Sequence, residues 1–356
     1  MAQRPLILVA DDSEDIRNLF EVMLKPKYDL KFAANSDETL AQVDTDPIPD
    51  LILLDIEMPS LNGYEIIARL KANPSLAQIP VIFVTARADP KDQARGLMAG
   101  AVDYITKPIS APITLLRVRT QLALQDQRRA LEEQVQARTE ELHETRLDLI
   151  RRLARAMEIR EGGLTNRVLR VSEYVALLAQ ALGLNNRTVE ILSQAAPLYD
   201  IGKLGVSGYI LKKSDALTAS EWEAVRRHPE IGAGIIGEHK DPMLAQARVM
   251  ALTHHERWDG AGYPGKLKGD AIPVPGRIMA VADAFEAMTT TQRHHEPVST
   301  QGAVKRIAEE AGKQFDPRVV AAFLKVAKDF DAAHAKYKDE LAGIHNLDFS
   351  AAPKKR

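Results

Sequence analysis

Along the first 125 residues, short apolar runs alternate with stretches in which apolar residues recur at helical spacing. Leu6–Ala10, Leu30–Ala33, Leu51–Leu54, Val81–Val84 and Asp103–Ile105 read as strands, being too short for helices and bounded by polar or turn-forming residues. Strands that alternate with helices predict an α/β doubly wound domain with a five-stranded parallel sheet. From Pro112 to about Met157 there is no further proline and no glycine, and Arg128–Arg155 is rich in Glu, Gln, Arg, Leu and Ala, which predicts one long helix. Leu131, Val135, Leu142 and Leu149 place a partial heptad on it, interrupted by Arg138, Thr145 and Arg152. Two readings stay open: a parallel coiled-coil homodimer, or a single solvated helix held by i,i+4 ion pairs. After Ile159 the apolar spacing is helical almost throughout, in Val168–Leu182, Val189–Leu198, Trp222–Ile236 and Val249–Thr253, so the second domain reads as all-α. The boundaries fall at residues 1–125 for the first domain, 126–157 for the helical linker, 158–330 for the all-α domain and 331–356 for a C-terminal helix and basic tail.

Composition agrees with a multidomain globular chain, since 356 residues exceed what one core of roughly 250 residues holds. A net charge of -2, with no basic stripe interleaved with aromatics, argues against a nucleic-acid partner. The absence of cysteine excludes disulfide and thiolate chemistry. The five-residue apolar run near Met1 is too short for a signal peptide or a membrane span, so the expected location is cytoplasmic, with no membrane partner.

Chemistry enters at the strand ends. Asp11 and Asp12 follow the first strand, Asp55 the third and Thr85 the fourth, and Lys107 lies just past the fifth, at the carboxyl edge where such sheets bind ligands. Three carboxylates in one crevice repel one another and suit a hard cation with oxygen ligands, Mg²⁺. The segments Leu8-Val9-Ala10-Asp11-Asp12, Leu53-Leu54-Asp55-Ile56-Glu57-Met58-Pro59, Thr85-Ala86 and Asp103-Tyr104-Ile105-Thr106-Lys107-Pro108 resemble the response-regulator receiver family. The resemblance implies that Asp55 accepts a phosphoryl group from a sensor histidine kinase. It also implies that Asp12, Asp55 and the Glu57 carbonyl hold Mg²⁺ with Asp11 in support, that Lys107 and Thr85 contact phosphoryl oxygens, and that Tyr104 is the switch aromatic.

In the second domain His254-His255-Glu256-Arg257-Trp258-Asp259-Gly260-Ala261-Gly262-Tyr263-Pro264 resembles the signature of the HD-GYP family. Asp200-Ile201-Gly202-Lys203, Leu211-Lys212-Lys213, the helix of His228, Arg277-Ile278-Met279-Ala280-Val281-Ala282-Asp283 and Phe315-Asp316-Pro317 extend the match. The resemblance implies Fe or Mn bound by Asp200, His228, His254, His255 and Asp283, hydrolysis of cyclic di-GMP, and a catalytic lysine at Lys203. It also implies an interaction loop at Gly262, Tyr263 and Pro264, facing cyclic di-GMP or a diguanylate cyclase-type protein. Three positions depart from the pattern: Tyr199 and Arg167 stand where the family has histidines, and Gly163 where it has a glutamate. The stretch Gln292-Arg293-His294-His295 replaces the family's Arg-Pro-Tyr-Lys phosphate contacts. Arg167 cannot ligate a cation, and Tyr199 could do so only as a phenolate. The expected function is therefore that of a two-component response regulator with a degenerate HD-GYP output domain in cyclic di-GMP signalling, acting through a partner with little or no hydrolysis. The alternatives are a phosphodiesterase with an incomplete metal site and a non-hydrolysing cyclic di-GMP receptor.

Overall fold

The computed structural model describes residues 4–86, 90–161, 166–291 and 296–337, and the chain divides into two compact units, residues 1–140 and residues 141–356. In the first unit the elements run β1 (Leu6–Ala10), α1 (Glu14–Leu24), β2 (Asp29–Ala33), α2 (Ser36–Val43), β3 (Leu51–Asp55), α3 (Gly63–Ala72), β4 (Val81–Thr85), α4 (Pro90–Met98), β5 (Asp103–Thr106) and the first part of α5 (Ala111–Glu161), whose remainder belongs to the second unit. All strand pairs are parallel, in the order β2-β1-β3-β4-β5, as the alternation predicts. Strand residues sort by parity, because successive side chains point to opposite faces. Ile7, Val9, Leu51, Leu53, Ile82 and Val84 pack with Phe20 and Leu24 of α1 and Val118 and Leu122 of α5. Leu8, Ala10, Ile52, Leu54, Val81 and Phe83 pack on the other face with Val43 of α2 and Ile66, Ile67 and Leu70 of α3. Both faces are covered, so these strands read as continuous apolar runs rather than as alternating ones.

Helix α5 is one element of 51 residues. It begins inside the first fold, with Pro112 in its opening turn, where a missing N–H does no harm. The linker expected at 126–157 is thus the continuation of the helix that Val118 and Leu122 anchor to the sheet. Leu131, Val135, Leu142 and Leu149 are 61, 64, 70 and 61% exposed along it.

The second unit is helical: α6 (Arg167–Ala181), α7 (Asn186–Ala195), α8 (Gly208–Leu211), α9 (Ala219–Arg226), α10 (His228–Ile236), α11 (Pro242–Thr253), α12 (Val274–Thr289), α13 (Thr300–Glu309), α14 (Pro317–Lys325) and α15 (Ala327–Lys336). Short 3-10 turns at Ala196–Leu198, Ile201–Gly205 and Gly269–Ala271 interrupt them. Two segments read as single helices are broken. Val189–Leu198 changes to a 3-10 turn at Ala196-Pro197, and Trp222–Ile236 divides at Arg227, just before Pro229, because a proline ring withholds a helical N–H. Val249–Thr253 is the end of α11, which begins at Pro242 behind the Asp241 cap. The core gathers Val171, Tyr174, Val175 and Leu178 of α6 against Phe285 of α12, Phe323 of α14 and Phe330 of α15, with Tyr174 stacked on Phe330 at 4.4 Å. Arg170 and Glu286 are buried inside it as a bidentate pair, with Nη2 to Oε1 at 2.7 Å and Nε to Oε2 at 3.0 Å. Among the described residues no helix is long and apolar enough to cross a membrane. Of the expected C-terminal helix and tail, residues 338–356 lie outside the described residues.

Candidate phosphoacceptor and metal sites

The strand ends bring the predicted receiver residues together. Asp55 is the last residue of β3, Thr85 the last of β4, and Asp11 follows β1; all three are buried. Asp11, Asp12 and Asp55 each offer an oxygen within 4.8 Å of the others. Lys107 Nζ donates to Asp55 Oδ2 (2.7 Å) and lies 2.9 Å from Asp11 Oδ2. The lysine backbone N–H donates to the Thr85 carbonyl (2.8 Å), which fixes β5 beside β4 at the crevice. Burial first, and then the charge of Asp11, pushes the Asp55 carboxyl above its usual range, with Lys107 opposing them. A buried carboxylate with a raised pKa, facing two more carboxylates and a lysine, is short of positive charge. Buried Asp11 Oδ2 and Asp55 Oδ2 share the one Lys107 ammonium, and a hard cation would offset the charge that it leaves among the three carboxylates. The exposed Glu57 donates its backbone N–H to Asp55 Oδ1 (3.2 Å). Tyr104 lines one small cavity with Thr85, Phe83 and Gln93, and the Arg117 guanidinium lies 5.1 Å from its ring centre.

The second cluster is built from helix ends. Of its residues only Asp283 lies in a helix interior, in α12. Asp200 precedes the 3-10 turn Ile201–Gly205, His228 is the first residue of α10, and His254 caps α11 with His255 following. The reason is backbone accounting: the last carbonyls of a helix lack partners. His228 Nδ1 faces the Val225 carbonyl of α9 at 2.7 Å, and His254 Nδ1 faces the Met250 and Ala251 carbonyls of α11 at 2.9 and 3.0 Å. Carbonyls only accept, so both Nδ1 atoms carry the proton and each Nε2 keeps its lone pair. Those two Nε2 atoms face each other at 3.3 Å. Asp200 Oδ1 is buried without a hydrogen bond and lies 3.4 and 3.6 Å from them. Three acceptors meet with no donor between them, and His255 adds a fourth group within reach. Burial, joined by the neighbouring His254, pulls His228 down to about 4 and His255 to about 2, which leaves neutral imidazoles. This donor set fits a metal cation.

The opposite side of Asp200 is occupied by the chain's own cations. Arg167, the first residue of α6, donates from Nη2 to Asp283 Oδ1 (2.8 Å), to Asp200 Oδ2 (3.2 Å) and, more closely, to the Tyr199 hydroxyl oxygen. Tyr199 in turn donates to Asp283 Oδ1 (2.7 Å), and Lys203 Nζ donates to Asp200 Oδ2 (2.6 Å). Burial opposes the ionisation of Asp200, yet Lys203, joined by Arg167, holds it well below the usual carboxylate range. Burial pushes the Tyr199 phenol well above its usual value and outweighs the opposing Arg167, with Asp200 and Asp283 adding to the rise. Tyr199 is therefore a neutral hydrogen-bond donor here, not a phenolate. Gly163 and residues 292–295 lie outside the described residues.

The Gly262-Tyr263-Pro264 loop folds back on the cluster, with Tyr263 and Pro264 still partly exposed. The Tyr263 ring stacks on His255 at 4.8 Å, and its N–H donates to the His255 carbonyl (3.2 Å). Gly262 is required by space, since a Cβ there would lie 2.3 Å from Arg257 N. Gly202 has the same role, 1.8 Å from the His228 carbonyl oxygen. Two supports were not foreseen. Buried Glu256 accepts from Gly265 N (2.6 Å) and Leu267 N (2.9 Å), which shapes the loop. Asp316 pairs with both Arg277 and Arg318 at 2.9 Å, and these arginines flank the Trp258 ring at 5.5 and 5.4 Å. The Phe315-Asp316-Pro317 and Arg277 motifs carried that signal; Glu256 carried only its place after the two histidines.

Comparison with known proteins agrees with this geometry. Residues 7–119 match the response regulator receiver domain family and residues 151–319 the HD domain family. The chain is 37% identical to a Vibrio cholerae protein named as a probable cyclic di-GMP phosphodiesterase, over 94% of this chain and 80% of that one. It is 37% identical to the Xanthomonas campestris cyclic di-GMP phosphodiesterase response regulator RpfG, over 78% of this chain and 75% of that one. A Thermotoga maritima cyclic di-GMP phosphodiesterase is 31% identical over 94% of both chains. A receiver domain implies phosphorylation by a kinase, and the chain belongs to the family of response regulators that join a receiver to an HD domain, the family of these phosphodiesterases.

Proposed function

We propose that the protein is phosphorylated on Asp55 by a sensor histidine kinase and so controls an HD domain in cyclic di-GMP signalling. Asp11, Asp12, Asp55 and the Glu57 carbonyl would hold Mg²⁺, whose charge offsets that of the phosphoryl group, while Thr85 and Lys107 contact its oxygens. Acetyl phosphate with Mg²⁺ should add one phosphoryl group to the wild type and none to Asp55→Asn, read by intact mass. The same adduct on the variant would move the acceptor elsewhere.

For the HD domain the reading is one metal position beside one built-in cation. His228, His254, His255 and Asp200 would hold Fe or Mn, which would supply an acidified water and polarise a phosphodiester. The observation that carries this reading is Arg167 Nη2, bound at once to Asp200, Asp283 and Tyr199. Asp283 is thereby engaged as a partner of Arg167 instead of as a ligand. Hydrolysis is then weak or absent, and the domain acts through its partners, the Tyr263 loop being the surface for cyclic di-GMP or a diguanylate cyclase-type protein. The Nη2 donor of Arg167 is committed to these three groups, which weighs against a receptor that grips the nucleotide phosphate with it. The retained imidazoles and the names of the relatives favour the second reading, a working phosphodiesterase. Elemental analysis with a cyclic di-GMP assay separates the two. We expect at most one Fe or Mn in the HD domain and turnover on the order of a hundredfold below RpfG. Two ions and comparable turnover would sink the first reading.

The exposed Leu131, Val135, Leu142 and Leu149 support a parallel homodimer through α5. Light scattering should give a dimer at micromolar concentration; a monomer both with and without beryllofluoride would rule it out.

A further inference from the structure

The final turn of α5 reaches the HD centre through side chains outside every motif. Arg160 donates from Nη2 to the Val206 carbonyl (2.8 Å) and from Nη1 to that of Leu204, with the Lys203 carbonyl at 3.5 Å. These carbonyls belong to the turn that follows Asp200 and carries Lys203. Glu161, the last residue of α5, places Oε1 3.3 Å from Lys203 Nζ and Oε2 3.7 Å from Arg167 Nη1. Lys203 and Arg167 are the two cations that share Asp200 Oδ2, at 2.6 and 3.2 Å. One glutamate therefore restrains both. A turn earlier, Glu158 Oε1 accepts from Val168 N (2.9 Å), so α5 is also fixed to the start of α6.

We infer that Glu161 is a positioning residue for the metal centre: it holds Lys203 and Arg167 on the Oδ2 side of Asp200 and so leaves Oδ1 turned to His228 and His254. Arg160 holds the Lys203 turn in place for this. The inference rests on the reading of His228, His254, His255 and Asp200 as a cation site. Without the Glu161 charge, the two cations are balanced by Asp200 and Asp283 alone. Asp200 is then drawn further toward them while the local charge rises by one unit, and both effects weaken the hold on a dication.

The test uses the full chain carrying Asp12→Asn, which removes a cation ligand from the receiver. Mn²⁺ affinity is read from the electron paramagnetic resonance of free Mn²⁺, and backbone hydrogen exchange of residues 200–206 is followed in EDTA. Glu161→Gln should weaken Mn²⁺ binding about 10–100-fold with an unchanged urea midpoint, and Glu161→Asp should keep most of the affinity. Glu161→Gln and Arg160→Gln should each speed exchange of the turn several-fold without metal. Unchanged affinity in Glu161→Gln, or affinity and urea midpoint falling together in the Gln and Asp variants alike, would overturn the inference. Should the parent chain bind no Mn²⁺, the cation-site reading fails. The positioning claim is then decided by exchange alone: faster exchange supports it and unchanged exchange overturns it.

Discussion

Replacing Arg167 and Tyr199 together by histidine is expected to raise the HD-domain metal content from at most one ion per chain to two. Arg167 Nη2 sits between Asp200 and Asp283, the carboxylates that a second ion would need. A unit charge and a dication about 4 Å apart repel by roughly 8 kcal/mol at an effective dielectric of ~20, before any relaxation. That repulsion opposes entry of a second ion. Tyr199→His alone leaves the guanidinium in place and should add no metal. Arg167→His alone removes the guanidinium yet leaves a phenol that donates to Asp283, so the second ion should bind weakly. The gain belongs to the pair, because ligands of one site act non-additively. Plasma mass spectrometry of the four proteins measures the metal, and cyclic di-GMP hydrolysis should rise above the wild-type level only in the double variant. A double variant with two ions and no turnover would move the fault to residues 292–295, with Gln292 and His295 the next to change. A wild type that already holds two ions would end the account.

Glu286→Ala is expected to destabilise the second unit by about 3–5 kcal/mol, a large share of the roughly 5–15 kcal/mol that holds a domain together. Arg170 and Glu286 are each about 1% exposed, so the variant strands a guanidinium in a core of Tyr174, Phe285 and Phe330. Arg170 Nη1 also donates to the Tyr337 carbonyl (2.6 Å), which loosens with it. Replacing both partners, with Arg170→Met and Glu286→Leu, should recover most of the loss, since apolar residues of similar volume need no partner. Urea unfolding followed by tryptophan fluorescence isolates the effect, because both tryptophans, Trp222 and Trp258, lie in the second unit. A loss below 1 kcal/mol in Glu286→Ala would show that the pair is not holding α6 to α12.

These two arginines mark where the sequence stops being legible. The receiver sheet can be read in advance because burial on both faces forces uninterrupted apolar strands, and the ligand edge forces polar residues at their ends. The residues that gather in the HD cluster can be read from short words such as His254-His255 and Asp200-Ile201-Gly202-Lys203. What cannot be read is which groups meet across long separations. Arg167 lies 33 residues from Asp200 and 116 from Asp283, and only packing of α6 on α12 brings them together. The same packing sets a second rung one turn along, Arg170 on Glu286, at positions where periodicity alone asks for apolar residues. Glu161 carries no local signal, because its role depends on where a 51-residue helix happens to end. The helix breaks at Pro197 and Pro229 were legible in principle, though the apolar spacing masked them.

Under the proposed reading, in which Arg167 stands in for an ion, it also changes how the centre answers to its surroundings. An ion in such a site has a dissociation constant, so its occupancy follows supply, chelation and competition from other metals. A guanidinium carried on a helix has no off-rate and no competitor, stays charged across all ordinary pH, and undergoes no change of oxidation state. At that position the protein holds its charge constant whether metal is scarce or abundant.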